Sequence, residues 1–220
     1  MLLKERAPCS HVRRHNCKMD TAGLLLTGGR STRMGTDKAN LRLLPHDSSA
    51  NDVPLLTLAE KTAELLQRET DIAVEVGPGF THLHHVSESP PHSGPLAALV
   101  AGAAELRRLG RDVPVLLVAT DMPRLTQGML GWLASYQPGR SVVPLAGGRA
   151  QPLCARYQPA DIAVASELVA RGERAMSALI DTVHPVLVPD EVWGKSAGDK
   201  SCLDDLDTPD QLASYMGHVQ

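Results

Sequence analysis

From Ala22 onward, short apolar runs alternate with longer amphipathic stretches. The runs at 22–27 (AGLLLT), 72–76 (IAVEV), 113–119 (VPVLLVA), 141–145 (SVVPL) and 183–188 (VHPVLV) have the length of strands. Those without a polar break, such as LLVA, fit strands covered on both faces. Between them, Leu55, Leu58, Ala59, Leu65 and Leu66 fall on one helical face, as do Leu96, Leu99, Val100, Ala103 and Leu106. Two further helices are predicted over 126–136 and 159–170. Strand–helix alternation of this kind predicts an α/β sandwich around a mostly parallel sheet. The absence of an internal repeat or a Gly/Ser linker makes 21–220 one domain. Residues 1–20 break the pattern. There Lys4, Arg6, Arg13, Arg14 and Lys18 outweigh Glu5 and Asp20 without apolar periodicity, which predicts a disordered extension and makes Met19 a candidate start. Cys9, His11, His15 and Cys17 have zinc-ligand chemistry but no surrounding pattern to preset a site, and are read as part of that extension.

Composition narrows the classes. Of 220 residues 43% are hydrophobic, enough for a real core, and 22 Lys and Arg against 25 Asp and Glu leave a net charge of −3. No global positive field would recruit a polyanion, and with aromatics at 3% few rings are left for bases to stack on, so nucleic acid is not an expected partner. Four scattered cysteines without a CxxC pair suggest a reducing compartment, and no apolar run reaches the ~20 residues of a membrane helix. A cytoplasmic protein is expected.

In an open α/β sheet, ligands bind beyond the carboxyl ends of the strands. The first strand runs into Thr27-Gly28-Gly29-Arg30-Ser31-Thr32-Arg33-Met34-Gly35-Thr36-Asp37-Lys38, where glycines allow backbone amides to approach anionic oxygens and cations neutralise charge. Neither the Walker A spacing nor the dinucleotide G-x-G-x-x-G spacing is present. Asp121 follows the apolar run at 113–119, so its carboxylate is expected at the ligand-facing edge, where a hard oxygen ligand suits Mg²⁺. Asp205 and Asp207 precede a short C-terminal helix that Asp207 or Thr208 would cap. His82, His84, His85 and His92 cluster in a short polar segment and are read as surface residues, and Cys154 as a small apolar strand residue.

The segment L-T-G-G-R-S-T-R-M-G-T-D-K (26–38) resembles the signature L-x-G-G-x-S-x-R-M-G-x-D-K of the molybdenum cofactor guanylyltransferase family. Ser93-Gly94-Pro95-Leu96-Ala97-Ala98-Leu99, Thr120-Asp121-Met122-Pro123, Gln151-Pro152-Leu153 and Asp207-Thr208-Pro209-Asp210 are similar to further family segments in order and spacing, so that the resemblance spans 22–216. It implies a three-layer α/β/α, Rossmann-like nucleotidyltransferase fold. The implied reaction transfers GMP from GTP to the phosphate of molybdopterin or its molybdenum-loaded form, with release of pyrophosphate. Implied partners are those two substrates and other enzymes that make or accept the cofactor.

The resemblance also implies residue roles. Leu26, Thr27, Gly28, Gly29, Lys38, Gly77, Glu88 and Asp121 would bind the nucleotide; Lys38, Arg33 and Asp121 would be catalytic; Asp121 and Asp207 would hold Mg²⁺. Two departures stand out. Glu88 occupies a position where the family has Asp, and Val74-Glu75-Val76-Gly77 lacks the family's Asn, so a ribose or base contact is expected from the Gly77 backbone. The glycine in Leu26-Thr27-Gly28-Gly29 favours GTP over CTP, although Thr27 replaces the usual Ala. A cytidylyltransferase, a small nucleotidyltransferase acting on a phospho-lactate or sugar phosphate, and a non-catalytic nucleotide-binding protein remain alternatives.

Overall fold

The computed structural model describes residues 20–28, 39 and 56–205. The strands are β1 (Ala22–Leu26), β2 (Ile72–Val76), β3 (His84–Val86), β4 (Val115–Ala119), β5 (Val142–Ala146), β6 (Arg149–Ala150), β7 (Cys154–Tyr157) and β8 (Val186–Val188). The helices are α1 (Leu58–Glu69), α2 (Pro95–Arg108), α3 (Gln127–Ser135), α4 (Pro159–Ala170), α5 (Met176–Val183) and α6 (Asp190–Ala197), followed by a short turn of 3-10 helix, Lys200–Leu203.

One sheet runs in the order β3-β2-β1-β4-β7-β5-β6, with β8 also paired to β5. The β3/β2, β2/β1, β1/β4 and β5/β8 pairs are parallel, whereas β7 runs antiparallel to both β4 and β5, and β6 antiparallel to β5. The sheet is therefore mixed, with parallel pairing confined to the β3-β2-β1-β4 run and the β5/β8 pair. Side chains of the central strands alternate between two cores. Leu25, Leu116 and Val118 join α1, α3 and α6 through Leu66, Met129, Leu133 and Trp193. Leu24, Val115 and Leu117 join α2, α4 and α5 through Leu99, Leu106, Ile162 and Leu179. Helices thus cover both faces, giving three layers, and burial on both sides explains why β4 is apolar throughout.

Local signals account for the helix starts. Thr57 and Glu60 form a reciprocal capping box at α1, Thr126 accepts from the Met129 N–H at α3, and Pro95 stands in the first turn of α2. The run at 183–188 divides: Val183 ends α5, His184 is its left-handed cap, and only 186–188 pair as β8.

Candidate active site

Parallel register brings the strand ends together. Leu26 pairs with Val76 on one side and with Ala119 on the other, so Thr27-Gly28, Gly77 and Thr120-Asp121 all leave the sheet at one edge. The ladder continues past the strands: the Thr27 N–H donates to the Val76 carbonyl at 3.1 Å and the Gly77 N–H to the Val86 carbonyl at 2.8 Å. A Cβ on Gly28 would lie 3.6 Å from the Gly77 Cα and 4.0 Å from Glu88 Oε2, so the two glycines and this carboxylate converge. Glu88 is buried, and its Oε1 accepts from the His92 N–H at 2.8 Å.

Asp121 is half-buried, two residues beyond β4. The turn after it is held by Lys61 of α1, whose Nζ donates to the Pro123 carbonyl at 2.6 Å, and burial lowers the pKa of this ammonium. Because β7 is reversed, its start lies beside the end of β4. The Ala119 N–H donates to the Leu153 carbonyl at 2.8 Å, which brings Gln151-Pro152-Leu153 to the same edge as Asp121. The hydroxyl of Tyr157 donates to the Pro152 carbonyl at 2.9 Å and steadies that turn. The β5–β6 hairpin carries exposed Arg149 at this end. The α6 region closes the flank: Trp193 Nε1 donates to the Leu145 carbonyl at 2.9 Å, the Thr126 hydroxyl to Ala197 at 3.0 Å, and Arg124 to the Ser201 hydroxyl at 3.3 Å.

Glu75 is the unanticipated residue. It interrupts the apolar strand IAVEV, yet it is fully buried. Its carboxylate accepts from the Thr27 hydroxyl (2.6 Å), the Gly79 N–H (3.0 Å), the Phe80 N–H (2.7 Å), and the Thr81 N–H (2.9 Å) and hydroxyl (2.8 Å). Burial pushes this carboxyl upward, but the hydrogen bonds from Thr27, Phe80 and Thr81 outweigh it and hold the group below the ordinary carboxylate range. A lone carboxylate inside an apolar strand was the available sequence signal.

The histidines separate. His82 meets Gln67 at 2.9 Å, His84 meets Glu105 at 2.6 Å, and the His85 ring lies against Gly79. Among the described residues, no group of three or more His, Cys, Asp or Glu is arranged to hold a metal ion. Cys154 is buried in β7 and Cys202 in the same core. Burial raises both thiol pKa values, that of Cys202 to about 12, so neither is poised as a nucleophile. Of the residues singled out from sequence, Leu26, Thr27, Gly28, Gly77, Glu88 and Asp121 share this edge; Gly29, Arg33, Lys38 and Asp207 lie outside the described residues.

Residues 23–186 match the family model described as the MobA-like NTP transferase domain. A probable molybdenum cofactor guanylyltransferase from Chloroflexus aggregans is 28% identical over 211 residues, covering 90% of this chain and 96% of that protein. Another protein of that name, from Mycobacterium tuberculosis, is 34% identical over 167 residues, 73% of this chain and 79% of its own length. The crystal structure of molybdopterin-guanine dinucleotide biosynthesis protein A from Archaeoglobus fulgidus superposes with a TM-score of 0.68 at 19% identity, covering 89% of this chain and 97% of that one.

Proposed function

The chain belongs to the MobA-like NTP transferase family, and on that premise we propose that it transfers GMP from GTP to the phosphate of molybdopterin or its molybdenum-loaded form, releasing pyrophosphate. The observation that carries this reading is the convergence of the backbone strip 26–28, Gly77, Glu88 and Asp121 at one sheet edge, with the turn 151–153 alongside. The name shared by relatives in Chloroflexus and Mycobacterium supports the choice of guanylyl transfer over other acceptors and bases.

A phosphate monoester is already anionic at neutral pH, so the attacking group needs no protein nucleophile and no strong base. The site's work is alignment and charge neutralisation. The backbone of Leu26–Gly28 and of Gly77 faces the base and ribose, Glu88 takes up a hydroxyl or amine of the nucleoside, and Lys38, Arg33 and the amides of Gly28 and Gly29 meet the triphosphate. The half-buried carboxylate of Asp121 offers the hard oxygen that Mg²⁺ prefers, and Asp207 is the proposed second ligand. When bound there, Mg²⁺ supplies neutralisation of charge on the phosphate oxygens. On this reading the acceptor lies towards Arg149, Gln151 and the basic segment from Lys195 to Lys200. A cytoplasmic setting accords with these substrates.

The test is a coupled pyrophosphate assay with molybdopterin, MgCl₂ and each of the four nucleoside triphosphates. GTP is expected to be preferred, and Asp121→Ala is expected to lose about 100-fold or more in kcat while keeping the wild-type circular dichroism spectrum. Preference for CTP or UTP, or turnover only with a sugar phosphate, would overturn the guanylyl assignment. Full activity in the folded Asp121→Ala variant would remove Asp121 from the reaction.

A further inference from the structure

Thr27 and Gly77 leave neighbouring strands at the same level, and their side-chain spaces coincide. A Cβ built on Gly77 would lie 2.0 Å from the Thr27 Oγ1 and 3.0 Å from the Gly28 amide nitrogen. The Thr27 hydroxyl therefore occupies the room that any side chain at 77 would need, and the two strand ends lie backbone against side chain. That hydroxyl is not left to rotate. It donates to Glu75 Oε1 at 2.6 Å, and the same carboxylate collects the amides of Gly79, Phe80 and Thr81 from the turn beyond β2. One buried anion thus grips two neighbouring segments: the end of β1 through a single side chain, and the 77–81 turn through three main-chain amides. A hydrogen bond from a neutral hydroxyl to a buried carboxylate is charge-assisted and directional, so it fixes a distance as well as adding energy.

We propose that Thr27 and Glu75 are a pair of positioning residues that set the spacing between the strip Leu26–Gly28 and the turn 77–81, and so preshape the nucleobase-facing side of the nucleotide site. Neither residue touches the reacting phosphates; each acts through backbone that does the binding. The inference rests on the nucleotide reading above, and it assigns to this chain's own Thr27, Glu75 and Gly77 the work of presenting that backbone. Losing the clamp costs binding before it costs chemistry, because the ground state and transition state share the same base contacts.

The experiment compares wild type with Thr27→Ala, Thr27→Ser and Glu75→Gln, by titration calorimetry with GTP and MgCl₂ and by steady-state pyrophosphate release, with thermal melts to confirm folding. Thr27→Ala is expected to raise the Kd and KM for GTP about tenfold, the scale of one hydrogen bond to a charged group, with a much smaller fall in kcat. Thr27→Ser, which keeps the hydroxyl, is expected to recover most of that loss. Wild-type KM in folded Thr27→Ala, or Thr27→Ser no better than Thr27→Ala, overturns the proposal. Should Glu75→Gln fail to fold, the Thr27 pair decides alone. Parallel titrations of wild type with CTP, ATP and UTP separate the two readings. Preference for another nucleotide overturns the guanylyl assignment and moves the Thr27 comparison to the nucleotide that binds; binding of none overturns both.

Discussion

Glu75 shows how a charged side chain lives inside a sheet. Its strand neighbours Val74 and Val76 are buried apolar residues, so an unpaired carboxylate there would protonate; five donors keep it ionised instead. Its folded pKa lies below the ordinary value of 4.5, so the stabilisation it contributes is present above that pH and is lost as pH falls through 4.5 towards the lower folded value. Urea denaturation between about pH 6 and pH 3 is expected to show a steeper loss of stability in wild type than in Glu75→Gln, whose amide does not titrate. Equal slopes would show that folding does not lower the pKa of Glu75. At this scale the sequence was legible where chemistry follows order: Thr27, Gly28, Gly77, Glu88 and Asp121 were all singled out, and they share one edge. Glu75 and Lys61 were passed over because their partners, Thr27 and Pro123, lie 48 and 62 residues away, and no local pattern encodes such distances.

Among the elements, α2 packs tightly on the sheet at Gly102. A Cβ on Gly102 would come within 2.7 Å of both Leu24 Cδ2 and Val76 Cγ2, so the helix approaches β1 and β2 at a point where a side chain does not fit. Gly102→Val is expected to destabilise by about 2–4 kcal/mol through overpacking, read from urea denaturation midpoints. An unchanged midpoint would mean that the helix can lift without cost. Helices α1 to α4 were readable because each is long enough to show its period or carries a cap. The elements that escaped are short or locally contrary. Three-residue β3 holds two exposed histidines, β7 carries an arginine in its middle, and eight-residue α6 contains Gly194 and is secured by Trp193 burying itself against β5. Tertiary packing, not propensity, decides such segments.

Across the whole molecule, Arg156 joins the layers. It is almost completely buried in β7, and its guanidinium donates to the carbonyls of Leu133, Ala134, Tyr136, Gln137 and Arg140, tying the sheet to the end of α3 and the loop that follows. Removing the guanidinium leaves the buried Leu133 and Ala134 carbonyls without this donor, so Arg156→Met is expected to cost about 3 kcal/mol or more, measured by chemical denaturation. Since Arg156 pairs with Leu116, towards the end of the sheet away from Asp121, nucleotide affinity in the surviving folded fraction is expected to change little. Equal losses of stability and affinity would instead join the two ends of the sheet. The three-layer arrangement was visible in the alternation of apolar runs and helices, but the reversal of β7 was not, because strand direction is set by connections and not by composition. That reversal leaves the two halves of the sheet under different constraints. On the β1–β4 side the connections that lead into β2 and β4 carry α1 and α2 across a face of the sheet. On the β5–β7 side the chain turns back at Gly147-Gly148, both at positive φ with open space around them, so residues can be added or removed there without disturbing either core. Length at that hairpin is therefore the fold's freest variable, and under the proposed function a change there alters what is offered to the second substrate and leaves the β1–β2 clamp as it is.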